Sequence, residues 1–278
     1  MFVEKGKTIM KSELVSDADD NVRYVPEGIS NFCSLAHESR YNYVIDNYDI
    51  KDKIILDFGC GSGYGSYMLS KHAKKVDAID YSPTSIEYAR SRYNNHNINY
   101  NVLNACLSEE VFRVLEQNKY DIIVTFDVIE HLDKYFDYLE NIKKLLKNDG
   151  ILIIGCPNRL QTFEWRKEWE KFHIQEFTPY QLRKILSFYF TNVILVGQDF
   201  RDEMVKEENK RIILKSYKRN FIKRFIPKSI LFFLYKNYMK IFKKNKVNKD
   251  DTKNITFSEE PGESKLEESF GLLAICRK

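Results

Sequence analysis

Apolar residues recur along the chain with two different spacings. Short unbroken runs at 54–58, 76–80, 98–103, 120–126 and 151–154 have the length and composition of strands buried on both faces. Between them the apolar positions fall three and four apart, as on helices with one buried side. A first helix is expected over 29–48, with Phe32, Leu35, Ala36, Tyr43, Val44 and Ile45 inward. Ser82 then Pro83 starts another, running to residue 93, because serine caps the open amides and proline suits the first turn. A short helix is expected over 108–116. The next helix buries Leu132, Phe136, Leu139, Ile142 and Leu146 and stops at Asn148-Asp149-Gly150. Thr178-Pro179-Tyr180-Gln181 has capping-box spacing and opens a helix to 188, and runs at 193–196 and 272–275 add two strands. Such alternation implies right-handed crossovers and a doubly wound, mostly parallel, seven-stranded α/β sheet.

The turn after the first strand carries the most information. Ile54-Ile55-Leu56-Asp57-Phe58 leads into Gly59, Gly61, Gly63 and Gly65, after which Tyr67, Met68 and Leu69 belong to a helix. Strand, glycine turn and helix form the unit that holds an extended nucleoside-bearing ligand, because glycine admits the ligand close to the backbone. The dinucleotide fingerprint G-x-G-x-x-G is missing: its sixth position falls on Tyr64, Ser66 or Met68, depending on the starting glycine. No Lys-Ser/Thr pair completes a phosphate loop either. Asp80 closes the second strand 21 residues after Gly59, where a carboxylate can accept from both hydroxyls of a ribose. Tyr81 beside it could pack on a base.

Asp57-Phe58-Gly59-Cys60-Gly61-Ser62-Gly63 resembles motif I of the class I S-adenosylmethionine (AdoMet) methyltransferases, a Rossmann-like fold. The resemblance implies AdoMet as cofactor, with Asp57 orienting the loop and the methionine amino group. Gly59, Cys60, Gly61 and Gly63 would border the cofactor, Asp80 would hold its ribose and Tyr81 its adenine. An acid often follows the third strand in that pattern; here Asn104-Ala105 stands instead. Phe126-Asp127-Val128-Ile129-Glu130-His131-Leu132 resembles the D/E-x-x-E-H-L segment of small-molecule methyltransferases, whose relatives tend to carry Glu where Asp127 stands. It sits where strand ends face a ligand, so Asp127, Glu130 and His131 are expected near the reacting methyl. Some quinone-ring O-methyltransferases hold a divalent ion through such acids and histidine, but Glu130 equally suits a helix N-terminus, and no metal is assigned. His173, just ahead of the Thr178 cap in an aromatic stretch starting at Phe163, is a second base candidate. Arg23 to Glu27, Asp57 to Gly65, Ile129 to Leu132, Pro157-Asn158, His173 to Phe177 and Val196-Gly197-Gln198 follow in the order of a bacterial group associated with surface-polysaccharide synthesis.

Composition narrows the setting. The five cysteines are scattered and lack C-x-x-C spacing, which fits a reducing, cytoplasmic setting rather than a disulfide framework. The net charge of +4 conceals an asymmetry: residues 206–250 carry 15 Lys and Arg against 3 acids. Within them, 224–244 places Leu231, Leu234, Tyr235, Tyr238, Ile241 and Phe242 at helical spacing opposite Lys236, Lys240, Lys243 and Lys244. This reads either as a lid over a substrate pocket or as a helix lying peripherally on an anionic membrane. A nucleic-acid partner rests on charge alone and is not expected.

The chain is therefore read as an N-terminal helical extension (1–50), an AdoMet-binding core (51–200), a basic helical insertion with a mobile loop (201–268) and a last core strand (269–278). The expected activity is O-methylation of a sugar or glycan precursor, with His131 or His173 as the base. A quinone- or lipid-like acceptor, an NAD(P)-dependent oxidoreductase and a non-catalytic AdoMet-binding protein are the alternatives.

Overall fold

The structure, a computed structural model, describes residues 15–16, 22–23, 32–161, 173–200, 255–259 and 263–278. The expected helix at 224–244, residues 163–172 and residues 24–27 of the upstream motif lie outside these. Strands β1 (Val15–Ser16) and β2 (Val22–Arg23) pair antiparallel. There follow α1 (Phe32–Asn47), β3 (Ile54–Phe58), α2 (Tyr64–Ser70), β4 (Lys75–Asp80), α3 (Pro83–Arg92), β5 (Ile98–Val102), α4 (Ser108–Val114) and β6 (Tyr120–Phe126). After a 3-10 turn at Ile129–His131 come α5 (Tyr135–Leu145), β7 (Leu146–Pro157), α6 (Pro179–Leu186) and β8 (Asn192–Phe200). The chain ends in β9 (Ile255–Glu259), α7 (Glu263–Glu268) and β10 (Gly271–Arg277).

The main sheet has the order β5-β4-β3-β6-β7-β10-β8-β9. The five strands from β5 to β7 are parallel, as their continuous apolar character requires. β10 runs antiparallel to both β7 and β8, and β9 is antiparallel to β8. Alternation along β3 feeds both faces: Leu56 and Phe58 join the core under α5, whereas Ile55 joins the core under α1, α2 and α3. Asp57 shares the side of Ile55 and so meets α1 and α2.

Four expectations change. Among the described residues the sheet has eight strands rather than seven, because residues 255–259, expected within a polar loop, form β9. Ile255 and Phe257 alternate toward α1, where Phe257 lies 4.6 Å from the Tyr43 ring and Tyr43 donates to Glu259 at 2.7 Å. Asn148-Asp149-Gly150 does not end a helix: β7 already begins at Leu146, and an irregularity near Tyr120 absorbs the turn residues. Phe136 is 51% exposed, and Tyr138 takes the inward position, bonding the Phe58 carbonyl at 2.9 Å. Asn158, read as part of a motif, is structural: its amide donates to the carbonyls of Leu266 and Ser269 and so holds the end of α7. Among the described residues no helix is long and apolar enough to cross a membrane.

Gly65 anchors α1 to α2 through close approach. A Cβ there would lie 2.0 Å from the Tyr41 ring. Gly65→Ala should therefore destabilise the fold by about 1–3 kcal/mol, as overpacking does. Chemical denaturation checks it, and an unchanged midpoint would show that the two helices are not in contact.

Candidate active site

The carboxyl ends of β3, β4 and β6 open onto a cleft of about 770 Å3, the crevice where open α/β sheets bind ligands. Its near end is the glycine turn. Gly59 and Cys60 both donate their amides to the Ile79 carbonyl, at 2.9 and 2.8 Å, which fastens the turn to β4. Gly59 has φ +102°, and a Cβ on it would strike Val128 at 2.4 Å; Gly61, with φ +54°, has open space on the corresponding side. Gly63 does something else. A Cβ there would meet Ala89 at 2.5 Å, so this glycine lets α3 pack, and it is not among the cleft's lining residues.

Asp57 lies behind the wall. Its carboxylate is fully buried, accepts from Ser66 at 2.6 Å and from Tyr41 at 3.3 Å, and does not line the cleft. The first acid of the motif thus ties β3 to α2 and α1, positioning the turn from beneath. Burial pushes its pKa up to about 7; the Ser66 and Tyr41 hydrogen bonds oppose the rise, and the nearby Asp80 charge adds to it.

Asp80 lines the cleft, with Oδ2 accepting from the Gly61 amide at 2.9 Å and Oδ1 from the Ser82 amide at 3.0 Å. Its carboxylate therefore fixes the turn and the start of α3 together. Cys60, Tyr81 and Asn104 also line the cleft; Tyr81 is half exposed, and Asn104 Oδ1 already accepts from the Cys106 amide at 3.0 Å.

The far end is built from three elements. Asp127 follows β6 in a left-handed conformation (φ +54°) and lines the cleft. Its Oδ2 is bonded by Arg40 Nη1 and lies 2.8 Å from His37 Nδ1, while its buried Oδ1 has no partner among the described residues. Burial alone would raise its pKa, but the charges and hydrogen bonds of Arg40 and His37 prevail and hold it well below the usual carboxylate range. Glu130 is the opposite case. It is fully buried, neither oxygen has a partner among the described residues, and burial together with the Asp127 charge pushes its pKa well up.

His131 lines the cleft, and the segment after the undescribed 162–172 brings His173 against it, the rings 4.9 Å apart edge to face. The Glu130 carbonyl fastens that segment by accepting the amides of Ile174 and Gln175 at 3.0 and 3.2 Å. His173 bonds Glu176 through Nδ1 at 2.6 Å and is not among the residues lining the cleft. Glu130, His131 and His173 each bring one ligand-capable atom within 4.8 Å of the others.

Sequence reasoning missed His37, Arg40 and Tyr41 because α1 was read only for its apolar side. The signal was present: positions 37, 40 and 41 share one face of a helix. Gln198 was noted only as part of a motif order. It accepts from Arg40 Nε at 2.9 Å and donates to the Ala36 carbonyl at 2.8 Å, clamping α1 to β8.

Fold and cleft together define a doubly wound nucleoside-binding protein whose glycine turn and ribose acid sit on adjacent strands. The chain belongs to the methyltransferase domain family, whose pattern it matches over residues 49–246. It is 30% identical over 179 residues to a probable S-adenosylmethionine-dependent methyltransferase of Mycobacterium tuberculosis, covering 63% of this chain and 62% of that protein. It is also 35% identical over 126 residues to a ubiquinone biosynthesis O-methyltransferase of Rickettsia bellii, covering 43% of this chain and 50% of the relative. The match thus spans between half and two thirds of the length of these curated relatives. Among solved structures, a Thermotoga maritima AdoMet-dependent methyltransferase, described as a possible histamine N-methyltransferase, superposes with a TM-score of 0.56. That superposition covers 88% of this chain and 91% of the other at 15% identity, a likeness of fold alone. AdoMet is the cofactor, as named for the Mycobacterium tuberculosis relative, and the cleft fits it: an open approach at Gly61, a carboxylate at Asp80 and, at Asp127, a carboxylate oxygen without a partner among the described residues. The oxidoreductase alternative falls away.

Two outcomes are expected. Asp80→Ala should weaken AdoMet binding about 10- to 100-fold, the worth of hydrogen bonds to a charged acceptor, measured by calorimetry. For Asp57, the folded pKa of about 7 exceeds the unfolded carboxylate value. Its favourable contribution is thus present below about pH 4 and lost as pH rises through 7. Urea titrations should find Asp57→Asn gaining stability relative to the parent between pH 5 and pH 8, and a constant difference would mean the carboxylate is solvated.

Proposed function

We propose that the protein transfers a methyl group from AdoMet to a hydroxyl oxygen of a small polar acceptor, a sugar unit of a glycan precursor. The observation that carries oxygen as the target is the cleft lining, which includes His131 and, 2.8 Å apart, His37 and Asp127. A sugar hydroxyl must lose its proton as the new bond forms, and imidazole near neutral pH is suited to take it. The sugar assignment is supported by the order of motifs along the chain. AdoMet supplies an electrophilic methyl on a cationic sulfur, so the protein's task is alignment, which contributes about 7–11 kcal/mol in well-oriented reactions. On this reading the Gly59–Gly61 backbone and Asp80 hold the nucleoside, while Asp127 and the histidines face the acceptor.

A second acceptor, the ring hydroxyl of a quinone-type molecule, is favoured by the Rickettsia relative's name.

Radiolabelled AdoMet incubated with the protein and either glycan-precursor fractions or catechol-type quinone precursors tests the proposal. Label in an alkali-stable ether of the glycan fraction is expected. Label only in the catechols would move the assignment to the second acceptor, and AdoMet binding without any transfer would sink both.

A further inference from the structure

We propose that Glu130, His131 and His173 form a binding site for a divalent transition-metal ion of the zinc type, and that Glu176 orients His173 within it. The proposal stands apart from the methyl-transfer reading, because metal binding is measured without cofactor or acceptor.

The cluster joins two stretches of chain. Glu130 and His131 belong to the 3-10 turn after β6, and His173 to the segment ahead of α6. Hydrogen bonds hold these stretches together. Ile174 and Gln175 donate their amides to the Glu130 carbonyl, and Gln175 Nε2 donates to the Leu132 carbonyl at 2.9 Å. One ligand-capable atom from each of the three side chains lies within 4.8 Å of the other two. Ligands of one tetrahedral ion stand roughly 3.4 Å apart, so the donors have to close by about 1 Å, which side-chain rotation supplies.

Glu130 is the observation that calls for a ligand. Its side chain is fully buried, and neither oxygen has a partner among the described residues. A carboxyl group left in that state is costly, and a bound ion is one of the few partners that answers it. The plain alternative is an acid favoured at a helix N-terminus. The structure does not show that: the turn is three residues long, and the amides of His131 and Leu132 bond the Val128 and Ile129 carbonyls instead of the Glu130 side chain.

His173 is arranged as metal-ligating histidines are. Its Nδ1 meets Oε1 of the buried Glu176 at 2.6 Å, so Nε2 is the nitrogen directed away from that carboxyl group. A carboxyl group behind an imidazole fixes its tautomer and ring orientation. His131 lines the cleft, so an ion at the cluster has a path from solvent. Asp127, the other acid of the D/E-x-x-E-H-L segment, is not part of the set, because its Oδ2 is bonded by Arg40.

The donor set decides the class of ion. Two imidazole nitrogens and one carboxylate oxygen suit zinc and its transition-metal neighbours, whereas magnesium and calcium favour oxygen ligands throughout. Three protein ligands also leave a coordination position for a further small ligand.

The test uses the full chain, stripped with a chelator and titrated calorimetrically with zinc chloride and magnesium chloride. Zinc should bind at least about 100-fold more tightly than magnesium, as nitrogen donors dictate. Cobalt(II) chloride should give visible absorption bands of a four- or five-coordinate site. Glu176→Gln removes an orienting partner and should weaken zinc binding about 10- to 100-fold. Glu130→Gln and His173→Ala each remove a ligand and should cost more than that. His72→Ala, at an exposed position beyond the end of α2 and outside the cleft, should change nothing. Should circular dichroism show a variant unfolded, nitrogen NMR of the histidine-labelled parent decides, and zinc should move the imidazole signals of two histidines. A parent that binds no zinc, a parent whose imidazole signals do not move, zinc binding undiminished in the Glu130 and His173 variants, or a preference for magnesium would each overturn the site.

Discussion

A buried guanidinium joins parts of this protein that the sequence keeps far apart. Arg40 of α1 reaches Gln198 on β8 and Asp127 at the end of β6, and is itself almost without solvent contact. Removing such a charge from water is tolerable only when a carboxylate and further hydrogen bonds surround it, and the planar fork of arginine suits two partners at once. The N-terminal helix is thus part of the cleft wall rather than an appendage to the sheet. The same contact divides the roles of two neighbouring acids. Asp127 has the guanidinium, which holds its pKa down; Glu130 has burial and a negative neighbour, which push its pKa up. Two carboxyl groups three residues apart are therefore shifted in opposite directions, because their surroundings differ.

Much of the framework was legible in the sequence because its signals are local. The Ser82 and Thr178 caps, the buried run of β3 and the glycine turn need only a few adjacent residues, and each stands where it was expected. Asp80, Tyr81, Asn104, Asp127 and His131 all reach the cleft, since a strand's end in an open α/β sheet marks a place before any contact is known. What was not legible depends on pairings across long stretches of chain. Asp57 reads as a ligand residue until Tyr41 and Ser66 close over it. Gly63 reads as part of a ligand cradle until Ala89 packs against it. His37 has no meaning in isolation; the aspartate it meets lies ninety residues later. β9 was hidden because three alternating residues between polar neighbours carry too little periodicity to register.

The glycine turn also illustrates how one composition serves several physical ends. Of its four glycines, Gly61 alone opens toward the cleft without a neighbour, while Gly59, Gly63 and Gly65 admit Val128, Ala89 and Tyr41. A motif recognised by its ligand is thus, for the most part, a packing device that lets two helices and a loop converge on one strand.

The position of β10 bears on how the molecule is made. It is the final strand in chain order yet lies between β7 and β8, bonded to both along its whole length. During synthesis β7 must wait with a bare edge, and β8 and β9 can pair only with each other, until residues 271–277 have left the ribosome. Closure of the sheet is therefore a late, long-range event, of the kind that slows folding and leaves nascent strand edges open to the wrong partner.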